Sequence, residues 1–309
     1  MAAGRADITG IITATPTPLK TDGRIDREAV DRLVRELMQA GADGIAPIGG
    51  TGEYTALTQH QRRDMLGFTL ESVSGRIPVI AGVLAPGIGD ALEACREFIA
   101  AGADALMVVT PYYARPTQMG IIDYYKRLSD EFDADLVLYE IPYRTGVSLT
   151  PETIGRLARE TRIVAMKACN QDLSQQIRTV AAAGDNISIL TGEENVFPLH
   201  IAMGAKGGIL ASSCLFPRIW SRIHALASGG RLFEAQALHA DVMPAVDALY
   251  RDHNPAPLKA ALALFGHPSG DVLPPLRPAS EETVRLLSAT LPAAFRIENA
   301  ISREISKVG

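Results

Sequence analysis

The sequence predicts an α/β protein, a TIM (β/α)8 barrel with a C-terminal helical extension. Eight short runs of apolar and β-branched residues alternate with amphipathic stretches over the first two thirds of the chain. The runs are continuously apolar, as expected for parallel strands that are covered on both faces. Each strand-helix unit takes about 28 residues, which suits this barrel.

Hydrophobic periodicity places the elements in order. The predicted strands are residues 8–13, 44–48, 78–83, 105–110, 135–141, 163–167, 187–191 and 208–211. Predicted helices between them are residues 26–40, 58–73, 89–101, 117–132, 151–160, 172–183 and 194–204. A doubly wound open sheet fits less well, because no dinucleotide-binding glycine fingerprint follows the first strand.

A short glycine turn recurs along the chain. Ala-Gly-Ala-Asp at residues 40–43 and at 101–104, and Met-Gly-Ala-Lys at 203–206, each end a predicted helix and precede a predicted strand. Glycine suits the left-handed residue with which helices commonly end. The repeat therefore supports a series of similar helix-strand connections.

The strand pattern ends near Leu215. Helices are predicted over residues 217–228, 231–250, 255–265 and 280–305, with breaks at 229–230 and in the proline-rich stretch 267–278. We predict two parts, a barrel over residues 1–228 that carries the active site and a C-terminal helical region over residues 229–309.

Composition excludes several classes of protein. Of 309 residues 47% are hydrophobic and 21% charged, and the net charge of −5 provides no basic patch for nucleic acid. No apolar run approaches the roughly 18–20 residues that span a membrane, and residues 1–10 lack the apolar segment of a signal peptide. Three distant cysteines without CxxC spacing indicate a reducing, cytoplasmic compartment. Scattered histidines predict no metal site, and no motif calls for a cofactor.

Lys167 is the most informative residue. It lies in the apolar run of residues 163–169, where burial disfavours the charged ammonium group. One interpretation is a lysine whose head reaches water or a carboxylate at the strand end. The other is a neutral nucleophile that attacks a carbonyl and forms a Schiff base.

Other chemically useful residues follow the predicted strands, at the barrel face where active sites lie. The glycine-rich turn at residues 49–53 exposes backbone N–H groups that suit an anion. Tyr139 is either a core aromatic or a proton carrier near the lysine, and Arg144 is either a surface ion-pair partner or a fork for a carboxylate. Glu193-Glu194 is interpreted as a helix N-terminus rather than as an acid/base pair.

Together these residues resemble the dihydrodipicolinate synthase / N-acetylneuraminate lyase family of lysine-dependent pyruvate aldolases. The resemblance covers essentially the whole chain. Its motifs are Gly-x-Thr-Gly-Glu at 49–53, Thr-Pro-Tyr-Tyr at 110–113, Tyr-x-Ile-Pro-x-Arg-Thr-Gly at 139–146 and the lysine of the sixth strand.

The resemblance implies a role for each site residue. Lys167 would form the Schiff base, Tyr139 would carry protons, and Tyr113 would reach a neighbouring subunit's site as a relay tyrosine. Thr51 and the backbone of Gly50 would hold the substrate carboxylate. Arg144 would bind the carboxylate of the second substrate at the mouth of the site. Gly192 and Ile209 would line the pocket with their backbones. The resemblance also implies a homotetramer, built as a dimer of dimers, without metal or organic cofactor.

The resemblance leaves the reaction open at one position. Synthases of the family usually carry a second threonine where this chain has Gly50. The best-supported expectation is a lyase that condenses pyruvate with an aldehyde such as aspartate semialdehyde. The alternative is a dehydratase, deaminase or aldolase of a deoxy-2-oxo sugar acid or a related 2-oxo acid, because deoxy-oxoglucarate dehydratases carry a similar Gly-Gly-Thr-Gly-Glu. A non-catalytic metabolite-binding barrel is the least favoured expectation.

Overall fold

A computed structural model describes residues 7–267 and 269–305. Residues 1–6, Pro268 and residues 306–309 lie outside the described residues. The start of the predicted barrel part, the end of the predicted helical part and most of the segment considered for a signal peptide therefore lie outside them as well. The strands are β1 Gly10–Ala14, β2 Gly44–Ala46, β3 Ile80–Val83, β4 Ala105–Val109, β5 Leu136–Glu140, β6 Ile163–Ala168, β7 Ser188–Thr191 and β8 Gly207–Leu210.

The eight strands form one parallel sheet that closes on itself. Their order is β2-β1-β8-β7-β6-β5-β4-β3, and a parallel bridge between Ile45 and Val79 joins the two ends. One set of buried apolar side chains fills the barrel interior, and a larger set lies between the strands and the surrounding helices. The predicted TIM barrel is therefore confirmed.

The barrel helices surround the strands. They are α1 Arg27–Gln39, α2 Gln59–Val73, α3 Ile88–Ala101, α4 Gln118–Glu131, the single turn α5 Pro142–Thr145, α6 Pro151–Glu160, α7 Leu173–Ala183, α8 Phe197–Ala202 and α9 Pro217–Ser228. Many begin as the sequence dictates, since a side chain at the N-cap accepts a backbone N–H that no helical carbonyl can reach. These caps are Asp26, Thr58, Thr117, Thr150 and Asp172.

The repeated glycine turns have the predicted left-handed backbone. The φ values of Gly41, Gly102 and Gly204 are 88°, 97° and 109°. In the first two turns the following aspartate binds a strand, because Asp43 accepts the backbone N–H of Ile11 at 2.7 Å and Asp104 accepts that of Val79 at 2.8 Å. In these two turns the aspartate thus connects the end of a helix to the backbone at or next to a neighbouring strand.

Three further helices follow the barrel, namely α10 Leu232–Leu249, α11 Ala256–Leu264 and α12 Glu281–Ile305. α10 packs on α8 and α9, and α12 packs on α9, α10 and α11. The predicted C-terminal helical extension is thus present, and it packs directly against the barrel. Among the described residues no helix is long and apolar enough to cross a membrane.

Candidate active site

A cavity of about 320 Å³ opens at the carboxyl ends of the barrel strands. It is lined by seven of the eight site residues that the sequence predicted, namely Gly50, Thr51, Tyr139, Arg144, Lys167, Gly192 and Ile209. Active sites of this fold lie at this face, because the loops after the strands converge there. Residues from five different strand-loop connections therefore meet in one place.

Lys167 lies in this cavity near the end of β6. Its side chain is 8% exposed, and burial lowers the pKa of its ammonium group below the ordinary lysine value. Cys169, Glu194 and Glu193 oppose this shift, whereas Arg144 adds to it. A lowered pKa leaves more of the lysine as the neutral amine, the form that attacks a carbonyl.

Gly192, at the end of β7, makes room for the lysine. A Cβ at this position would lie 2.8 Å from Cε of Lys167 and 2.2 Å from Sγ of Cys169. Both distances are far below a van der Waals contact. Glycine is therefore required here for the lysine to reach the cavity along its observed path.

Tyr139 lies beside Lys167 because the two residues are register partners on β5 and β6. The lysine Nζ is 4.7 Å from the centre of the tyrosine ring. Burial raises the pKa of the Tyr139 phenol well above its ordinary value, and Cys169 adds to this rise. The hydroxyl therefore stays protonated at neutral pH and can give a proton to a nearby reacting group.

The turn after β2 brings Thr51 to the cavity wall. Its hydroxyl accepts a hydrogen bond from Nδ2 of Asn254 at 2.9 Å. Gly50 precedes it, and a Cβ at Gly50 would lie 3.5 Å from Nη1 of Arg144 and 3.9 Å from the Tyr139 hydroxyl. Arg144 is exposed at the mouth, on the turn α5, where a guanidinium can meet an incoming carboxylate.

Tyr113 is the predicted site residue that the cavity does not include. It is 95% exposed and has a left-handed backbone with φ of 68°. Its side chain therefore takes no part in the site of its own chain in this structure. The role implied by the family, at the site of a neighbouring subunit, stays a prediction.

Several cavity residues were not predicted as site residues. Glu193 is 8% exposed and accepts a hydrogen bond from the Tyr143 hydroxyl at 3.1 Å, while burial raises the pKa of its carboxyl group. Glu194 begins a 3-10 turn, as the helix interpretation suggested, but its carboxylate is buried and accepts from Ser212 and Tyr250. The sequence offered one indication of these contacts, namely that two acidic residues follow closely after a predicted strand.

The C-terminal helical region also lines the cavity, with Met243, Val246, Asp247, Tyr250 and Asn254. No local motif identifies these residues, because their distance from the barrel along the chain hides the contact. The described part of the chain contains no group of three or more His, Cys, Asp or Glu side chains placed to hold a metal ion.

Comparisons with known proteins agree with this arrangement. A sequence model described as "Dihydrodipicolinate synthetase family" matches residues 7–294. A 4-hydroxy-tetrahydrodipicolinate synthase of Geobacter sulfurreducens is 37% identical over 283 residues, covering 91% of this chain and 97% of the relative. One of Thermotoga neapolitana is 35% identical over 286 residues, again covering 91% and 97%.

Solved structures give the same result. A dihydrodipicolinate synthase of Thermotoga maritima has a TM-score of 0.90 at 34% identity, covering 94% of this chain and 99% of that one. The enzyme of Acinetobacter baumannii, in complex with pyruvate, also has a TM-score of 0.90, at 30% identity and with 93% and 99% covered. These similarities confirm the predicted family, fold and lyase class. The chain belongs to the dihydrodipicolinate synthetase family.

Proposed function

We propose that this enzyme condenses pyruvate with aspartate semialdehyde through a Schiff base on Lys167, as a 4-hydroxy-tetrahydrodipicolinate synthase. The observation that carries the proposal is a buried lysine of lowered pKa in a cavity that also holds Tyr139 and Thr51. The names of the relatives favour this reaction over dehydration of a deoxy-2-oxo sugar acid. A purely metabolite-binding barrel would not need a desolvated lysine at the cavity wall.

The chemistry begins when the neutral amine of Lys167 adds to the keto carbon of pyruvate. Loss of water gives the imine, and loss of a methyl proton gives the enamine. The enamine carbon then adds to the aldehyde carbon of the second substrate. Attack of that substrate's amino group on the imine carbon closes the ring and releases Lys167 as the free amine.

The other cavity residues have distinct proposed roles. Tyr139 moves protons to and from the carbinolamine and the new hydroxyl, because its protonated phenol lies beside the amine. The Thr51 hydroxyl and the backbone N–H groups of the glycine turn hold the pyruvate carboxylate. Arg144 binds the carboxylate of the semialdehyde at the mouth.

Trapping of the imine tests this proposal. Sodium borohydride added with pyruvate is expected to increase the intact mass by the reduced pyruvate adduct, and Lys167→Ala is expected to give no increase. Absence of the adduct in the natural chain, or its presence in Lys167→Ala, would contradict the Schiff-base proposal. Consumption of aspartate semialdehyde, set against that of deoxy-2-oxo sugar acids, then identifies the second substrate.

Gly50→Thr is expected to raise the synthase kcat about fivefold. The space at Gly50 accepts a Cβ at ordinary contact distances, and the added hydroxyl can bond to Tyr139, a gain of about 1 kcal/mol. Steady-state kinetics with pyruvate and aspartate semialdehyde measure the change. Gly50→Val is the matched control, since it has the same shape without the hydroxyl. Equal rates in the two variants would show that the hydroxyl has no relay role.

We also propose a homotetramer in the cytoplasm. The exposed Tyr113 supports a role across a subunit interface, which the family resemblance implies. The three cysteines are free and buried, in keeping with a reducing compartment.

A further inference from the structure

The contact between Thr51 and Asn254 joins the barrel to the C-terminal helical region inside the cavity. The two residues are 203 positions apart, and Nδ2 of Asn254 donates to Oγ1 of Thr51 at 2.9 Å. Both residues line the cavity that holds Lys167. The bond therefore lies where the substrate carboxylate is proposed to bind.

The direction of this hydrogen bond limits what the threonine can do. A hydroxyl has one proton to donate and two lone pairs to accept with. Since the Asn254 amide donates, it occupies a lone pair and leaves the proton of Thr51 free. Within residues 7–267 and 269–305, Oγ1 of Thr51 has no other hydrogen-bond partner. Its proton is thus available to an anionic oxygen in the cavity.

The backbone turn that carries Thr51 is strained. Ile48, just before the glycine-rich turn of residues 49–53, and Glu53, the last residue of that turn, have φ values of 49° and 58°. A left-handed backbone is costly for a β-branched residue such as isoleucine, and it persists only where surrounding contacts hold it. One such contact is the hydrogen bond from the Thr17 hydroxyl to the carbonyl of Gly52, at 2.7 Å.

The same turn is attached to the C-terminal helical region by a buried ion pair. Oε1 of Glu53 lies 2.6 Å from Nζ of Lys259 on α11, and the side chains are 0% and 4% exposed. The second carboxylate oxygen of Glu53 accepts the backbone N–H of Leu273 at 2.7 Å, and Lys259 donates to the carbonyl of Asp271 at 2.8 Å. Glu53, two residues after Thr51, is therefore tied to α11, which begins two residues after Asn254.

We propose that Asn254 is a positioning residue, which orients the Thr51 hydroxyl so that its proton points at the carboxylate of the 2-oxo acid. The inference rests on the proposed function and deepens it, because it assigns part of substrate recognition to the helical region after the barrel. Asn254 acts here as a neutral donor. A residue that accepts from Thr51 instead turns the hydroxyl away from the substrate.

The test measures how borohydride-trapped adduct depends on ketone concentration, by intact mass. Asn254→Ala is expected to raise the half-saturating concentration of pyruvate about tenfold, which corresponds to about 1.4 kcal/mol. Acetone, a ketone without a carboxylate, is the matched probe, and its half-saturating concentration is expected to change less than twofold. An equal shift for both ketones would overturn the inference, because it would indicate general damage to the cavity.

Asn254→Asp tests the direction of the bond. The carboxylate has nearly the same shape but accepts from Thr51, so the pyruvate half-saturation is expected to rise about a hundredfold or more. Asn195→Asp is the control for charge, since it adds a carboxylate to the same cavity at the exposed Asn195. The inference is overturned if Asn254→Asp raises the pyruvate half-saturation less than Asn254→Ala does. It is also overturned if Asn254→Asp raises it no more than Asn195→Asp does.

A double-variant cycle tests whether Asn254 acts through Thr51. In a Thr51→Val background, Asn254→Ala is expected to change the pyruvate half-saturation less than twofold. If instead the two substitutions multiply their separate effects on the pyruvate half-saturation, Asn254 binds substrate by itself, and the inference is overturned. An adduct in the natural chain without this coupling refutes only the role of Asn254, whereas no adduct at all refutes the proposed function as well.

Discussion

Lys259→Met is expected to lower the free energy of unfolding by about 3–5 kcal/mol, because it leaves the carboxylate of Glu53 buried without its counter-ion. The two side chains are almost fully buried, 2.6 Å apart. Burial lowers the pKa of Lys259, and the contact with Glu53 opposes that shift, so the charge of the lysine depends on the carboxylate beside it. Urea unfolding followed by circular dichroism measures the change.

Two further variants make this result specific. Lys259→Met combined with Glu53→Gln is expected to recover much of the lost stability, since no unpaired charge remains in the interior. Arg35→Met removes the exposed ion pair with Asp31 on α1, and it is expected to cost less than about 1 kcal/mol. Equal losses from Lys259→Met and Arg35→Met would contradict the expectation that an unpaired buried carboxylate costs more stability than a broken surface ion pair.

Tyr139→Phe is expected to lower kcat about 100- to 10,000-fold, the range for removal of a general acid-base group. The ring still fills its place beside Lys167, so the loss is due to the hydroxyl rather than to packing. Steady-state kinetics with pyruvate and aspartate semialdehyde measure kcat. The rate of adduct formation under borohydride is expected to fall as well, because dehydration of the carbinolamine also needs a proton.

Tyr112→Phe is the matched control for this prediction. The Tyr112 hydroxyl donates to the carbonyl of Leu84 at 3.1 Å and does not line the cavity of Lys167. Its loss is expected to change kcat less than threefold. A loss below tenfold in Tyr139→Phe would mean that another group or a water carries the protons.

Much of the fold was predictable because its signal is local. Buried parallel strands must be continuously apolar, so the run around Lys167 identified β6, Ile163–Ala168, to within one residue. Helix ends were equally visible, since Asp26 and Thr58 cap α1 and α2 where the sequence predicted helices to begin. The turn α5 was not predicted, because four residues carry too little periodicity.

The site was predictable to the extent that the fold orders it. Once eight strands are recognised, the residues at their carboxyl ends must share one face, so Lys167, Tyr139 and Thr51 could be placed together. Tyr113 met the same criterion, yet its side chain is exposed and does not line the cavity. The rule places a backbone position but does not fix the direction of a side chain on a left-handed loop residue.

The sequence by itself thus determined the barrel, its helical extension and the nucleophile's strand, because each depends on periodicity or on the position of a residue along a strand. The tertiary structure alone decided what surrounds the chemistry. Asn254 contacts Thr51 across 203 residues, and Glu53 meets Lys259 and Leu273 across more than 200. Such contacts leave no pattern in neighbouring residues, since the packing of α10 and α11 over the barrel brings them together.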